Sequence, residues 1–183
     1  MNLENYRKSA TRTTTRGFSL VELVIVIVII GVLAAIAIPR VGRGAKGAGE
    51  SALSNDLSVL RNVVELYAGE HNGDYPGVKG DGTNAANTAG AVVSQLTKYS
   101  DVNGGVADAR DATHLYGPYL RKGLPPAPVG ANAGDDTVAI DAMNSPPAVT
   151  AGTEGWVYNP NTGDIIVNSS DKNNAGTLTF DQY

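Results

Sequence analysis

The feature that most constrains this 183-residue chain is an apolar run near its amino end. From Phe18 to Ile38 the only ionisable side chain is that of Glu22. A helix needs roughly 20 apolar residues to cross a bilayer, so this run is long enough to span a membrane. A carboxylate inside such a run is costly and rare, and it is interpreted first as functional.

The residues at the start of the run resemble a known processing site. Residues 16–22 read Arg-Gly-Phe-Ser-Leu-Val-Glu, which resembles the cleavage motif of the type IV pilin and pseudopilin family. The resemblance implies that a prepilin peptidase cuts between Gly17 and Phe18 and then methylates the new amino terminus on Phe18. Glu22 becomes the fifth residue of the mature chain, and the resemblance implies a role for it in assembly.

Residues 1–17 are polar and basic, with a net charge of +3. We interpret them as a leader peptide that is removed. Positive residues stay on the cytoplasmic side of a membrane, so the part after the apolar run is expected in the periplasm. The chain is then a single-pass protein of the bacterial inner membrane. An ordinary secreted protein cut near Ala37 is the alternative, but it leaves the pattern from Gly17 to Glu22 unexplained.

Glu22 has two interpretations. Its carboxylate can lie near the hydrated membrane interface, or it can pair with the amine that cleavage creates on Phe18. Burial of two such charges is tolerable only when they pair, so a pair between neighbouring subunits would fix their stagger. The four-residue spacing also permits a contact within one helix. The family resemblance favours the intermolecular pair.

Two helix breakers follow in the predicted segment 18–39, which we assign as the transmembrane and assembly helix. Gly31 and Pro39 fall where the family often places such residues, and proline removes a backbone hydrogen bond. We expect a kink, or a segment that melts on assembly. Residues 42–47 contain Gly-x-Gly-x-x-Gly, but the strand and helix context of a dinucleotide site is missing. We therefore interpret them as a weak section of helix.

Residues 40–73 are expected to form the amphipathic part of the same stem helix. Apolar residues recur there at intervals of three and four, which places them on one stripe that faces a sheet. They are Leu53, Leu57, Leu60, Val64 and Tyr67. The residues His71 to Asp74 are expected to end the helix before Tyr75 and Pro76.

Residues 74–183 are expected to form a globular α+β head, in which the long helix packs on a small antiparallel sheet. A short helix is predicted at 91–99 and a strand at 137–140. β-forming residues flank the turn cluster 159–163, which predicts a hairpin with Trp156 buried against the stem helix. Residues 177–180 are a candidate edge strand.

Two further segments resemble the major pseudopilins of type II secretion. Residues 72–76 read Asn-Gly-Asp-Tyr-Pro, and residues 117–120 read Gly-Pro-Tyr-Leu. The chain contains no cysteine, so it cannot close the C-terminal disulfide loop of many type IV pilins. Both observations favour the pseudopilin branch of the family.

The charge of the mature chain argues against nucleic-acid binding. Removal of residues 1–17 leaves 10 basic and 17 acidic side chains. A nucleic-acid binder needs a basic face that displaces counterions. We therefore expect no nucleic-acid partner.

The head offers few residues for catalysis or metal binding. His71 and His114, the two histidines, lack a neighbouring nucleophile motif, and we expect surface or helix-end positions and no enzymatic activity. Asp135, Asp136 and Asp141 are candidate ligands for calcium, which prefers six to eight oxygen atoms. Roles in turns are the alternative for these three carboxylates.

Together these features predict a structural subunit of a type IV pilus-like filament, with a type II secretion pseudopilin as the leading assignment. Its expected partners are further copies of itself in a helical filament, a prepilin peptidase, an assembly platform in the inner membrane and the membrane itself. The alternatives are a type IV pilus subunit and a membrane-anchored binding module.

Overall fold

A computed structural model describes residues 17–183, with side chains described for 17–36 and 44–183. The chain divides into two compact units, Met1–Val41 and Gly42–Tyr183. The predicted leader lies outside the described residues, apart from Gly17.

The first helix, α1, extends over Leu20–Glu70 and belongs in part to each unit. It begins two residues later than the predicted start at Phe18. The helix continues through Gly31 and Pro39 and through the glycine-rich section after them; the side chain of Pro39 lies outside the described residues. Within the part of the chain that the structure describes, no helix has a stretch long and apolar enough to cross a membrane. The predicted span 18–39 is therefore not confirmed.

The amphipathic stripe of α1 is confirmed. Leu53, Leu57, Leu60, Val64 and Tyr67 are all buried. The helix ends at Glu70, three residues before the predicted bound at residue 73 and next to the segment that was expected to end it. Asn72 and Gly73 adopt left-handed φ angles of 60° and 87° there. The Gly73 amide donates to Ala68 O at 2.9 Å, which satisfies a carbonyl that the helix end would otherwise leave open.

The second helix, α2, comprises Ala89–Thr97. Thr88 caps it, since its hydroxyl accepts a hydrogen bond from the Ala91 amide at 3.3 Å. The predicted helix 91–99 ended too late, because Tyr99 belongs to a strand. That strand, β1 (Tyr99–Ser100), pairs antiparallel with β2 (Val106–Ala107).

A three-stranded sheet contains β3 (Val138–Ile140), β4 (Trp156–Tyr158) and β5 (Ile165–Val167) in that order. The antiparallel pairing of β4 with β5 confirms the predicted hairpin. The expectation of an antiparallel sheet is wrong for β3, which pairs parallel with β4. Parallel neighbours need a crossover of a dozen or more residues, and the connection 141–155 is long enough to supply it.

The candidate edge strand at 177–180 is also wrong. Thr179 forms one isolated bridge with Lys172, and Phe180–Gln182 forms a 3-10 helix. The Asn173 side chain accepts hydrogen bonds from the amides of Thr177 and Leu178, at 3.0 and 3.4 Å. These donors are therefore not available to a neighbouring strand.

The core of the C-terminal unit forms between the α1 stripe and the three-stranded sheet. One cluster of buried side chains contains the stripe together with residues of β3, β4, β5 and α2. Trp156 is 0% exposed, and its indole Nε1 donates to Pro125 O at 2.7 Å. The predicted burial of Trp156 is thus confirmed.

Candidate functional site

The amino end of the described chain is open to solvent. Residues 17–19 have no regular secondary structure, and Phe18 is 81% exposed. A Cβ atom added at Gly17 would meet nothing within 4 Å. The peptide bond between Gly17 and Phe18 is therefore accessible, and a side chain at Gly17 would not disturb the rest of the chain.

Glu22 caps the helix that follows. The Ser19 amide donates to Glu22 Oε2 at 2.9 Å, and the Leu23 amide donates to Ser19 O at 3.1 Å. Ser19 is thus the N-cap residue, and Glu22 makes the return contact of a capping box. A carboxylate here is also favoured by the positive end of the helix dipole. This contact was not predicted from the sequence, although the Ser-x-x-Glu spacing of residues 19–22 is the pattern that signals it.

A continuous apolar surface follows the cap. The large apolar side chains from Phe18 to Ile36 are each 43–81% exposed. Gly31 lies within this surface, where a Cβ atom would meet nothing within 4 Å. Soluble monomers rarely expose an apolar patch of such extent, so a surface of this kind marks a contact with protein or lipid.

The three candidate calcium ligands are not brought together. No group of three or more histidine, aspartate or glutamate side chains among the described residues is arranged to hold a metal ion. Asp135 accepts hydrogen bonds from the hydroxyl and amide of Thr137, at 2.5 and 2.8 Å, and from the Gly155 amide. These bonds hold the pKa of the Asp135 carboxyl below its usual range. Asp136 is an exposed residue next to this turn.

Asp141 shapes a turn of its own. Its carboxylate accepts hydrogen bonds from the amides of Ala148, Met143 and Asn144 and from the Asn144 side chain. The bonds from Ala148 and Asn144 lower the pKa of Asp141 to about 2. Asp135 and Asp141 therefore take the turn roles that were the alternative to calcium.

His71 directly follows the last residue of α1, so of the two expected positions it takes the helix end and not the surface, with 1% exposure. Its ring stacks on Tyr67 with centroids 3.7 Å apart. Nδ1 lies 2.8 Å from Tyr67 O and Nε2 lies 2.9 Å from Ser100 Oγ. Because a carbonyl can only accept, Nδ1 carries the proton, and the Ser100 hydroxyl donates to Nε2 in the neutral ring.

The surroundings of His71 favour its neutral form. Burial lowers the pKa of His71, although the Tyr67 carbonyl and the charges of Glu70 and Asp101 act in the opposite direction. A serine hydroxyl paired with a histidine resembles part of a nucleophilic site. Ser100 is itself fully buried, however, so a substrate has no access to it in this structure. The second histidine, His114, pairs with Asp111 at 2.8 Å near the surface.

Comparison with known families supports the amino-terminal site. Residues 12–38 match the family model of the prokaryotic N-terminal methylation motif. The match includes Gly17, Phe18 and Glu22 and extends over 27 of the 183 residues. It supports a type IV pilin-like chain, which implies processing by a prepilin peptidase and assembly into filaments. No curated protein and no solved structure matches the chain significantly.

Proposed function

We propose that this chain is a structural subunit of a type IV pilus-like filament and, within that class, a pseudopilin of type II secretion. The observation that carries the proposal is the methylation motif at residues 12–38 together with the exposed apolar helix surface, from Phe18 to Ile36, that lies within it. Such a surface needs a cover, and the helices of other copies supply one in a filament.

Before assembly the lipid bilayer covers the same surface. The processed helix is then anchored in the inner membrane as a single span, with its amino terminus cytoplasmic and the C-terminal unit periplasmic. The net charge of +3 on residues 1–17 supports this orientation. An assembly platform in the membrane would move subunits from the bilayer into the filament.

The pseudopilin assignment draws on the two resembling segments, 72–76 and 117–120. Tyr119, from the segment 117–120, contacts the last turn of α1, which precedes the segment 72–76 in the chain. Tyr119 Oη donates to Glu70 Oε2 at 2.5 Å, and its ring meets Tyr67 edge-on at 5.4 Å. Tyr119 of the second segment thus packs against the last turn of α1, and the first segment follows soon after that turn.

Processing is the first test of the proposal. Co-expression of the full chain with a prepilin peptidase should remove residues 1–17 and leave methylated Phe18 at the amino terminus. Gly17→Val should leave the precursor uncut, because a branched side chain obstructs the backbone at the peptidase while it meets nothing in the chain itself. Mass spectrometry of the intact protein measures both outcomes.

Filament yield is the second measurement in the same cells. Shearing should release filaments from cells that carry the wild-type chain and none from those that carry Gly17→Val. An amino terminus at another residue would refute the processing step. Correct processing without filaments, in cells that hold the complete assembly machinery, would refute the structural role.

A further inference from the structure

An exposed apolar side chain stands on an ordered turn beyond the three-stranded sheet. Met143 is 94% exposed, three residues after the end of β3. The Asp141 carboxylate binds the amides of Met143, Asn144 and Ala148, at 3.1, 3.2 and 2.9 Å. The Asn159 side chain also donates to Asn144 O at 2.6 Å. Met143 is therefore presented by a rigid turn, which we call the Met143 knob (residues 141–148).

The same unit contains an apolar groove of about 590 Å³ beside α1. Its apolar lining comes from the exposed helix residue Val59 and from the segment 119–126. We call it the Val59 groove. The flexible side chain of methionine adapts to grooves of this kind.

The knob and the groove lie at opposite ends of the sheet. Asp136 precedes β3 and lines the groove, whereas Met143 follows β3. The neighbouring strand β4 runs parallel to β3 and shows the same arrangement. Trp156 at its start donates a hydrogen bond to Pro125 O of the groove, and Tyr158 O at its end accepts one from the Asp141 amide of the knob. The two surfaces of one molecule therefore cannot meet each other.

Charge adds complementarity between the two surfaces. The knob contains the carboxylate of Asp141, and that of Asp164 lies beside it, because the Ser145 hydroxyl donates to Asp164 Oδ2 at 3.1 Å. Residues 123–171 contain no lysine or arginine. Arg121 and Lys122 on the groove rim are exposed, and neither forms an ion pair with another described residue. Asp56 and Asp136 also line the groove, so the cationic rim is the part that suits an acidic turn.

We propose that the Met143 knob of one copy docks in the Val59 groove of the next copy, with Asp141 and the neighbouring Asp164 beside Arg121 and Lys122. The inference rests on the proposed function and adds a contact between C-terminal units. A surface that pairs with a different surface of an identical chain generates an open series of subunits when the rotation does not close a ring. That geometry suits a filament.

Disulfide cross-linking tests the contact directly, because the natural chain has no cysteine. The full chain with Met143→Cys and Val59→Cys should give a ladder of cross-linked multimers after mild oxidation of assembled filaments. A disulfide needs Cα atoms within about 7 Å. Each single variant should give no ladder.

The matched control combines Met143→Cys with Leu66→Cys. Leu66 is an exposed residue of α1 outside the groove lining, and seven residues separate it from Val59 by about 10 Å along the helix. Filaments that cross-link equally through Leu66, or not at all through Val59, would overturn the docking contact and leave the proposed function intact. The absence of wild-type filaments would overturn the proposed function. In those cells the chains in the membrane are oxidised instead, and a ladder through Val59 would still support the contact, whereas its absence would overturn it.

A charge exchange tests the contact without cysteine. Met143→Lys should lower the yield of sheared filaments by about tenfold, which corresponds to about 1.4 kcal/mol, because it places a cation against Arg121 and Lys122. Adding Lys122→Glu should restore part of the yield. Leu178→Lys, at an exposed apolar residue outside both surfaces, should leave it unchanged. Wild-type yield from Met143→Lys, or no recovery in the double variant, would overturn the proposal.

Discussion

At the scale of single residues, Glu22 has two separable properties. Its Oε2 accepts the Ser19 amide and thereby caps α1, which needs an acceptor oxygen but not a full charge. Its negative charge is the property that pairs with the Phe18 amine of a neighbouring subunit under the proposed function. Two substitutions at the same position distinguish these properties.

We expect Glu22→Gln and Glu22→Ala to abolish filaments alike, while the processed chains accumulate in the membrane. Glutamine retains an oxygen for the Ser19 amide but leaves the buried ammonium without a counter-charge, which costs about 3–5 kcal/mol when one partner is removed. Loss of a cap alone costs about 1 kcal/mol. Amino-terminal sequencing, cell fractionation and the yield of sheared filaments measure the effect. If Glu22→Gln gave normal filaments and Glu22→Ala gave none, filament assembly would depend on the capping oxygen of Glu22 and not on its charge.

At the scale of secondary-structure elements, Trp156 of β4 joins the hairpin to the α1 stripe. In a fragment beginning at Gly42, we expect Trp156→Ala to lower the free energy of unfolding by about 3–5 kcal/mol, because it removes a fully buried aromatic side chain. Trp156→Phe should cost less, since it keeps a ring and loses mainly the bond to Pro125 O. Urea denaturation measures both values.

Fluorescence provides the control, since Trp156 is the only tryptophan of the chain. The folded fragment should emit at the short wavelengths of a buried indole, and unfolding should shift the emission to longer wavelengths. Emission typical of a water-exposed indole in the folded fragment would contradict the packing of β4 on α1.

The elements that were predicted correctly from the sequence are those whose structure is determined by residues close together in the chain. The Leu53–Tyr67 stripe follows helical periodicity, and the β4–β5 hairpin follows a turn cluster between β-forming segments. The parallel pairing of β3 was missed because strand direction depends on how the connection 141–155 crosses, which no local pattern encodes. Residues 177–180 failed as a strand because the Asn173 side chain takes two of their amides.

The candidate sites likewise divide into those set by neighbouring residues, which the sequence predicted, and those set by distant residues, which it did not. Gly17, Phe18 and Glu22 are neighbours in the chain, so the motif could be read directly from the sequence. The calcium hypothesis required Asp135, Asp136 and Asp141 to converge, whereas Asp135 and Asp141 bind the amides of their own turns. The burial of His71 depends on Ser100 and on the segment around Tyr116 and Tyr119, which are distant in sequence.

At the scale of the whole molecule, the stability of the C-terminal unit depends on the charge states that folding selects. Burial lowers the pKa of His71, so the folded state favours the neutral form of the ring. Hydrogen bonds lower the pKa of Asp135 and Asp141, which favours their ionised forms. The aspartates contribute stability above their unfolded pKa of about 3.9, and this contribution is lost only as the pH falls below about 4.

His71 acts in a separate pH range. An unfolded histidine takes up a proton near pH 6.5, whereas the folded ring resists protonation until a lower pH. The unfolded state therefore binds more protons just below pH 6.5, and stability falls as the pH is lowered there. We expect urea denaturation of the fragment beginning at Gly42 to give a lower free energy of unfolding at pH 5 than at pH 7. His71→Gln should be less stable at pH 7 but should lose most of this pH dependence. An equal decrease in both proteins would show that His71 is not its source.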